Sequence, residues 1–122
     1  MQMIVNERHG DVRIWRDADG ALQASVRHLA HHSPCGFECG YGGSGPADLA
    51  LSILAAFVPA RAGEPTERLY KGAHHCSRFA WMHHQRFKWE FIATLPKEGG
   101  VLRAADIRKW IAAREAEVTE EH

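Results

Sequence analysis

An α+β fold is predicted: a small antiparallel sheet of three or four strands packed on a buried central helix, with two further helices. Three observations carry that reading. Asp11-Val12-Arg13-Ile14-Trp15-Arg16 alternates polar and apolar side chains, the period of a half-buried strand. Residues 46–59 are apolar around nearly the whole circumference of a helix bounded by Pro46 and Pro59, which suits a helix enclosed by a core. Residues 76–95 place Ala80, His84, Phe87, Phe91 and Leu95 at three- and four-residue spacing, the stripe of a second helix ending at Pro96.

Taken in order, Met3-Ile4-Val5 is expected to form an edge strand. Asp17-Ala18-Asp19-Gly20 then supplies the turn of a hairpin whose second strand runs over residues 21–27. Residues 37–41 are expected to add a strand with Phe37, Cys39 and Tyr41 on one face and Glu38 on the other. The turn Gly40-Tyr41-Gly42-Gly43-Ser44-Gly45 leads into the central helix. Pro46 is assigned its first position, Asp48 the first turn, where the dipole favours a carboxylate, and Ser44 a turn or capping role. Residues 66–71 suggest a short helix interrupted by Gly72. Lys97-Glu98-Gly99-Gly100 reads as a turn, and residues 106–116, with Ile107, Trp110 and Ile111 on one face, as a third helix. The chain of 122 residues is read as one domain, with an acidic, frayed tail over residues 115–122.

Composition narrows the function classes. Fifteen Lys and Arg balance fifteen Asp and Glu, so no global positive charge announces a nucleic-acid binder, and an electrostatic argument has to be local. No apolar run reaches the length of a membrane span, and the first residues lack the order of a signal peptide, which points to the cytoplasm. An odd cysteine count, Cys35, Cys39 and Cys76, argues for reduced thiols.

The glycine turn is the most specific feature. Gly40, Gly42 and Gly45 match G-x-G-x-x-G, but the hairpin before it and the short remainder do not supply the parallel strands of a dinucleotide-binding unit, and no Lys-Ser/Thr pair follows to make a P-loop. Two readings stay open: a tight structural turn, or a surface whose Tyr41, Gly42, Gly43, Ser44 and Gly45 receive an anion or a partner's backbone. A basic and aromatic stretch from Arg61 to Lys88 adds Arg78, Arg86 and Lys88 as candidate contacts to a phosphate backbone or an acidic protein surface. Its plain alternative is a solvated helix face. A zinc site would draw on His32, Cys35, Cys39 and Cys76, yet the Cys-x3-Cys spacing lacks a second matching pair, and buried thiols are the simpler reading, so no metal or cofactor is assigned. For catalysis, His32, Ser44 and Asp48 lack any nucleophile-elbow or triad context, and Glu38 with Glu90 would need a tertiary contact to form a carboxylate pair, so no catalytic residue is assigned.

Three stretches, His32-Ser33-Pro34, Gly36-Phe37-Glu38 continuing through residues 40–51, and Gln85-Arg86-Phe87-Lys88-Trp89-Glu90 with Leu95-Pro96, resemble a small-domain family of bacteria, phages and plasmids that has no assigned activity. The pattern of that family has tryptophan where this chain has Cys39. The resemblance implies a mobile-element setting, in which a compact domain without catalytic groups acts as an adaptor or as an inhibitor of a host defence complex such as a CRISPR effector. The leading expectation is therefore a non-enzymatic module binding a host protein or nucleoprotein complex. A nucleic-acid-binding accessory protein using residues 61–88 is the alternative, and a zinc-binding or small hydrolytic protein the second.

Overall fold

The structure is a computed structural model, which describes residues 5–33 and 36–120. Strand β1 (Val12–Arg16) is the centre of a three-stranded antiparallel sheet, flanked by β2 (Leu22–Ala24) and by β5 (Gly100–Leu102) near the far end of the chain. Ile14 lies opposite Ala24 on one side and Gly100 on the other, so the inward side chains of β1, Val12 and Ile14, share one face with Leu22 and Leu102. The hairpin turn forms as its residues dictate: the Asp17 carboxylate accepts the N–H groups of Asp19 and Ala21, and Gly20 takes a left-handed φ of 84°.

Helix α1 (Ser44–Phe57) is enclosed, with Leu49, Leu51, Ile53, Leu54 and Phe57 shut off from solvent and joined to the sheet's inward face in one apolar cluster. It packs on α2 (Arg78–Phe87) and on the π-helical turn Lys88–Ile92 that continues α2. Helix α3 (Ala104–Glu120) closes the core with Ile107, Trp110 and Ile111. A second antiparallel pair, β3 (Thr66–Leu69) and β4 (His74–Ser77), leads directly into α2, where Ser77 accepts the N–H of Ala80 as N-cap. Among the described residues no helix is long and apolar enough to cross a membrane.

The α+β expectation is met, and several elements differ in instructive ways. Residues 66–69 pair with residues 74–77 rather than coil. Left-handed Tyr70, Lys71 and Gly72 reverse the chain between the two strands, and the cross-strand ladder overrides the local helix propensity of Glu67, Arg68 and Leu69. Residues 37–41 make only an isolated bridge, Phe37 to Leu22, and Tyr41 faces solvent while Phe37 and Cys39 are buried, because Gly40 turns left-handed at φ 83° and breaks the alternation. The third strand is instead β5, whose first residue, Gly100, falls in the expected turn and whose Val101 and Leu102 carry no expectation. The second hairpin strand stops at Ala24, not residue 27. Met3 and Ile4 lie outside the described residues, and Val5 is not in a strand. In the second helix the fully buried position is Ile92 rather than Phe91, which is half-buried. The π turn, closed by Ala93 N–H to the Lys88 carbonyl at 2.8 Å, inserts one residue per turn and slips the stripe by one place.

Gly99 has φ 99°, and a Cβ there would run into the Ile14 carbonyl of β1. Gly99→Ala is therefore expected to cost roughly 2 to 4 kcal/mol in urea unfolding. Gly63→Ala, also left-handed but facing open space, should cost only about 1 kcal/mol.

Candidate functional site

The site is organised by a carboxylate inside the first half of α1. Asp48 is 0% exposed, and it accepts the backbone N–H groups of His32 at 2.7 Å, Ser33 at 2.8 Å and His31 at 3.1 Å, with the His28 imidazole at 3.4 Å. One turn later Ser52 accepts the N–H of Leu29 at 2.9 Å. Four residues apart, Asp48 and Ser52 form a narrow polar seam on a helix that reads as wholly apolar, and that seam fixes residues 28–33 against it. An enclosed carboxylate is tolerated only when hydrogen-bonded, and three amides supply what burial removes. The helix begins at Ser44 with Gly43 as its N-cap, so Asp48 lies beyond the first turn and its partners are loop amides rather than the helix's own start. Pro46 is the third helical residue, and no side chain caps this end, Ser44 included.

Held in this way, the loop presents two histidines to α2. His32 Nε2 lies 3.0 Å from His84 Nε2, while His84 Nδ1 lies 2.7 Å from the Trp81 carbonyl. Since a carbonyl only accepts, His84 carries its proton on Nδ1 and offers a lone pair at Nε2, which His32 Nε2–H fills. Both imidazoles are neutral in this arrangement. Burial pulls His84 and His32 below the ordinary value, with neighbouring histidines adding to it in both and Lys88 adding at His32. Trp81 stacks over His32 and meets His31 edge-on, and His31 Nδ1 accepts the N–H of Tyr70 from the β3–β4 turn.

On the adjoining surface the glycine turn meets the π turn. Of its four glycines only Gly40 uses a left-handed backbone, and the others are required for space. The Trp89 indole fills the place of a Gly42 side chain, the Tyr41 ring that of Gly43, and Glu38 crowds Gly45. Trp89 is 57% exposed and Tyr41 52% exposed, so two large aromatic rings flank the turn in solvent. Ser44 is exposed, Gly42 and Gly43 are half-exposed, and Gly45 is buried. The bend is thus partly exposed beside its two rings, and the Trp89 ring is set there by a helix distortion that periodicity alone does not reveal. Trp89 falls off the apolar stripe of residues 80–87, and that is the signal by which it could have been found.

The remaining candidates separate from this face. Arg78 pairs with Glu67 at 3.7 Å, and Arg86 with Glu90 at 3.2 Å and Glu117 at 3.3 Å, so both arginines are engaged by carboxylates. Glu117 belongs to the acidic end of the chain, which at this point is helical and ion-paired. Lys88 is buried, with its ammonium over the Trp89 ring. Glu38 and Glu90 do not pair with each other: Glu38 is gripped by Arg16 at 2.8 Å and 3.3 Å, and Glu90 takes Arg86, Arg114 and the Trp110 indole N–H. The Asp48 carboxylate binds the His32 main chain, not its ring, so His32, Ser44 and Asp48 do not form a relay. Cys39 Sγ lies 3.3 Å from the Pro96 carbonyl and Cys76 is buried; burial raises both thiols, Cys76 to about 11, and both are free. Cys35 lies outside the described residues. His32 and His84 are in mutual contact, but among the described residues no three His, Cys, Asp or Glu side chains are grouped to hold an ion.

Two measurements follow from this geometry. Asp48→Asn places an amide against amide donors and is expected to lower stability by about 3 kcal/mol, against about 1 kcal/mol for Ser52→Ala. His32, His83 and His84 are all held below 6.5, burial being the largest cause at each. The unfolded chain therefore binds more protons between the depressed values and 6.5, so their contribution is complete above about pH 6.5 and is lost as pH falls through the folded values. The melting temperature should fall between about pH 7 and pH 5, and His84→Gln should shrink that fall.

No curated protein and no solved structure shows significant similarity to the chain. A family model does match it over residues 5–113, a span that contains both the Asp48 seam and the Trp89 face. The chain accordingly belongs to DUF6166, a family of unknown function.

Proposed function

We propose that the protein is a non-enzymatic protein-binding module that docks through the face made by Tyr41, the Gly42-Gly43-Ser44 backbone and Trp89. The observation that carries this reading is the pair of exposed aromatic rings lying beside a half-exposed stretch of backbone. Tyrosine and tryptophan are the residues that anchor protein interfaces, because a rigid ring gains a large contact area for little lost freedom. The Asp48 carboxylate is taken up by main-chain N–H groups and the His32 ring by His84, and the basic residues Arg78 and Arg86 already have carboxylate partners, which favours docking over chemistry or a phosphate track. The mobile-element setting implied by the sequence resemblance makes a nucleic-acid-handling host complex, such as a CRISPR effector in the bacterial cytoplasm, the partner to be inhibited.

Affinity capture from a bacterial host lysate tests this. The intact protein is expected to enrich a protein partner, and Trp89→Ala, with its fold retained, to reduce recovery at least about tenfold, as for an interface hot spot. No partner with the intact protein, or recovery indifferent to both Trp89→Ala and Tyr41→Ala, would contradict it. Binding to bare DNA or RNA at about 50 mM salt that falls steeply as salt rises would favour the nucleic-acid alternative.

A further inference from the structure

Lys88 is only 7% exposed, and its ammonium stands 4.5 Å over the Trp89 ring. No carboxylate, carbonyl or hydroxyl among the described residues accepts from it. A cation so enclosed without an anion is unfavourable, and the ring's negative face answers only part of its charge. Its Nζ nevertheless keeps an opening to solvent, since Arg114 Nε is the one fully buried side-chain N or O lacking a partner among the described residues. The same indole lies against Gly42. Cation and glycine turn therefore meet at one ring, and among the described residues nothing accepts the N–H groups of Gly42, Gly43 and Ser44. Amides at a helix start, an unpaired ammonium and a flanking aromatic wall all favour the same visitor, a small anion.

Resting on the protein-binding reading, we propose that Lys88 and the Gly42-Gly43-Ser44 backbone, joined through the Trp89 ring, form a notch that receives a carboxylate, the side chain of an Asp or Glu on the partner. A single unpaired cation matches a single negative charge. A polyanion would need several, whereas Arg78 and Arg86 are occupied by Glu67, Glu90 and Glu117. The exposed rings of Tyr41 and Trp89 then close over the flanking apolar part of the acidic segment.

Amide NMR on the full chain at fixed ionic strength tests the notch directly, with blocked aspartate as probe and blocked asparagine as its neutral counterpart. The Gly42, Gly43 and Ser44 amides and the Trp89 indole N–H should shift saturably with aspartate and not with asparagine. Affinity should drop at least about tenfold in Lys88→Met, as expected when a charge-assisted contact is removed. Silent amides, equal response to both probes, or undiminished binding by Lys88→Met would overturn the proposal. If that variant fails to fold, the aspartate-against-asparagine contrast in the intact protein decides alone. Inorganic phosphate acting on the same amides at lower concentration than aspartate would overturn the carboxylate assignment. Capture of a protein partner that survives Lys88→Met would sink the notch and leave the docking reading, whereas aspartate binding with no captured partner would do the reverse.

Discussion

The Asp48 carboxylate is the constraint on which the placement of residues 28–33 against α1 and α2 depends. It is enclosed in the core, so it has to be satisfied, and the groups that satisfy it are consecutive main-chain amides of His31, His32 and Ser33. That demand bends residues 28–33 into one path along α1. The path sets the His32 ring against His84, and His31 beneath the β3–β4 turn. Removing the carboxylate would free a loop and also dissolve the register between the sheet side of the molecule and α2. The seam is inexpensive in sequence, a single Asp and a Ser four residues on, and it replaces a polar helix face that this buried helix lacks.

The exposed face arises from two backbone irregularities that meet. A π turn at Lys88–Ile92 shifts the helical phase by one residue, which buries Ile92, turns Trp89 outward and tucks Lys88 beneath it. A glycine turn lacks the side chains that would collide with that indole. Each irregularity explains the other: the indole can lie on the turn only because Gly42 has no Cβ, and it is there only because the helix widens. π turns recur at working surfaces, where they re-aim one side chain while the helix continues.

Much of the fold was legible because periodicity reports burial. The hairpin, the enclosed helix and the third helix follow from alternation and three- to four-residue spacing, and their core residues are those the patterns named. What was not legible depends on partners distant in the chain. Strand β5 pairs with β1 some ninety residues earlier, and a strand of three residues, Gly100–Leu102, is too short to show a period. Residues 66–69 carry helix-forming side chains, and only the ladder with β4 decides their state. The glycine turn was identifiable as a special place, although the reason differs from the one its composition suggests: space for Trp89 and Tyr41, with positive φ confined to Gly40. Lys88 read as one more surface cation, since nothing in its neighbours in sequence announces the π turn that buries it.

Residue-resolved hydrogen exchange on the native protein tests the central claim most directly, because it reads both kinds of amide in one experiment. The amides of His31, His32 and Ser33, though in a loop, should exchange at least about a hundredfold more slowly than those of Gly42, Gly43 and Ser44, since the first group is held by a buried carboxylate and the second meets no acceptor among the described residues. Fast exchange at residues 31–33, or protection of the glycine turn equal to theirs, would contradict the account.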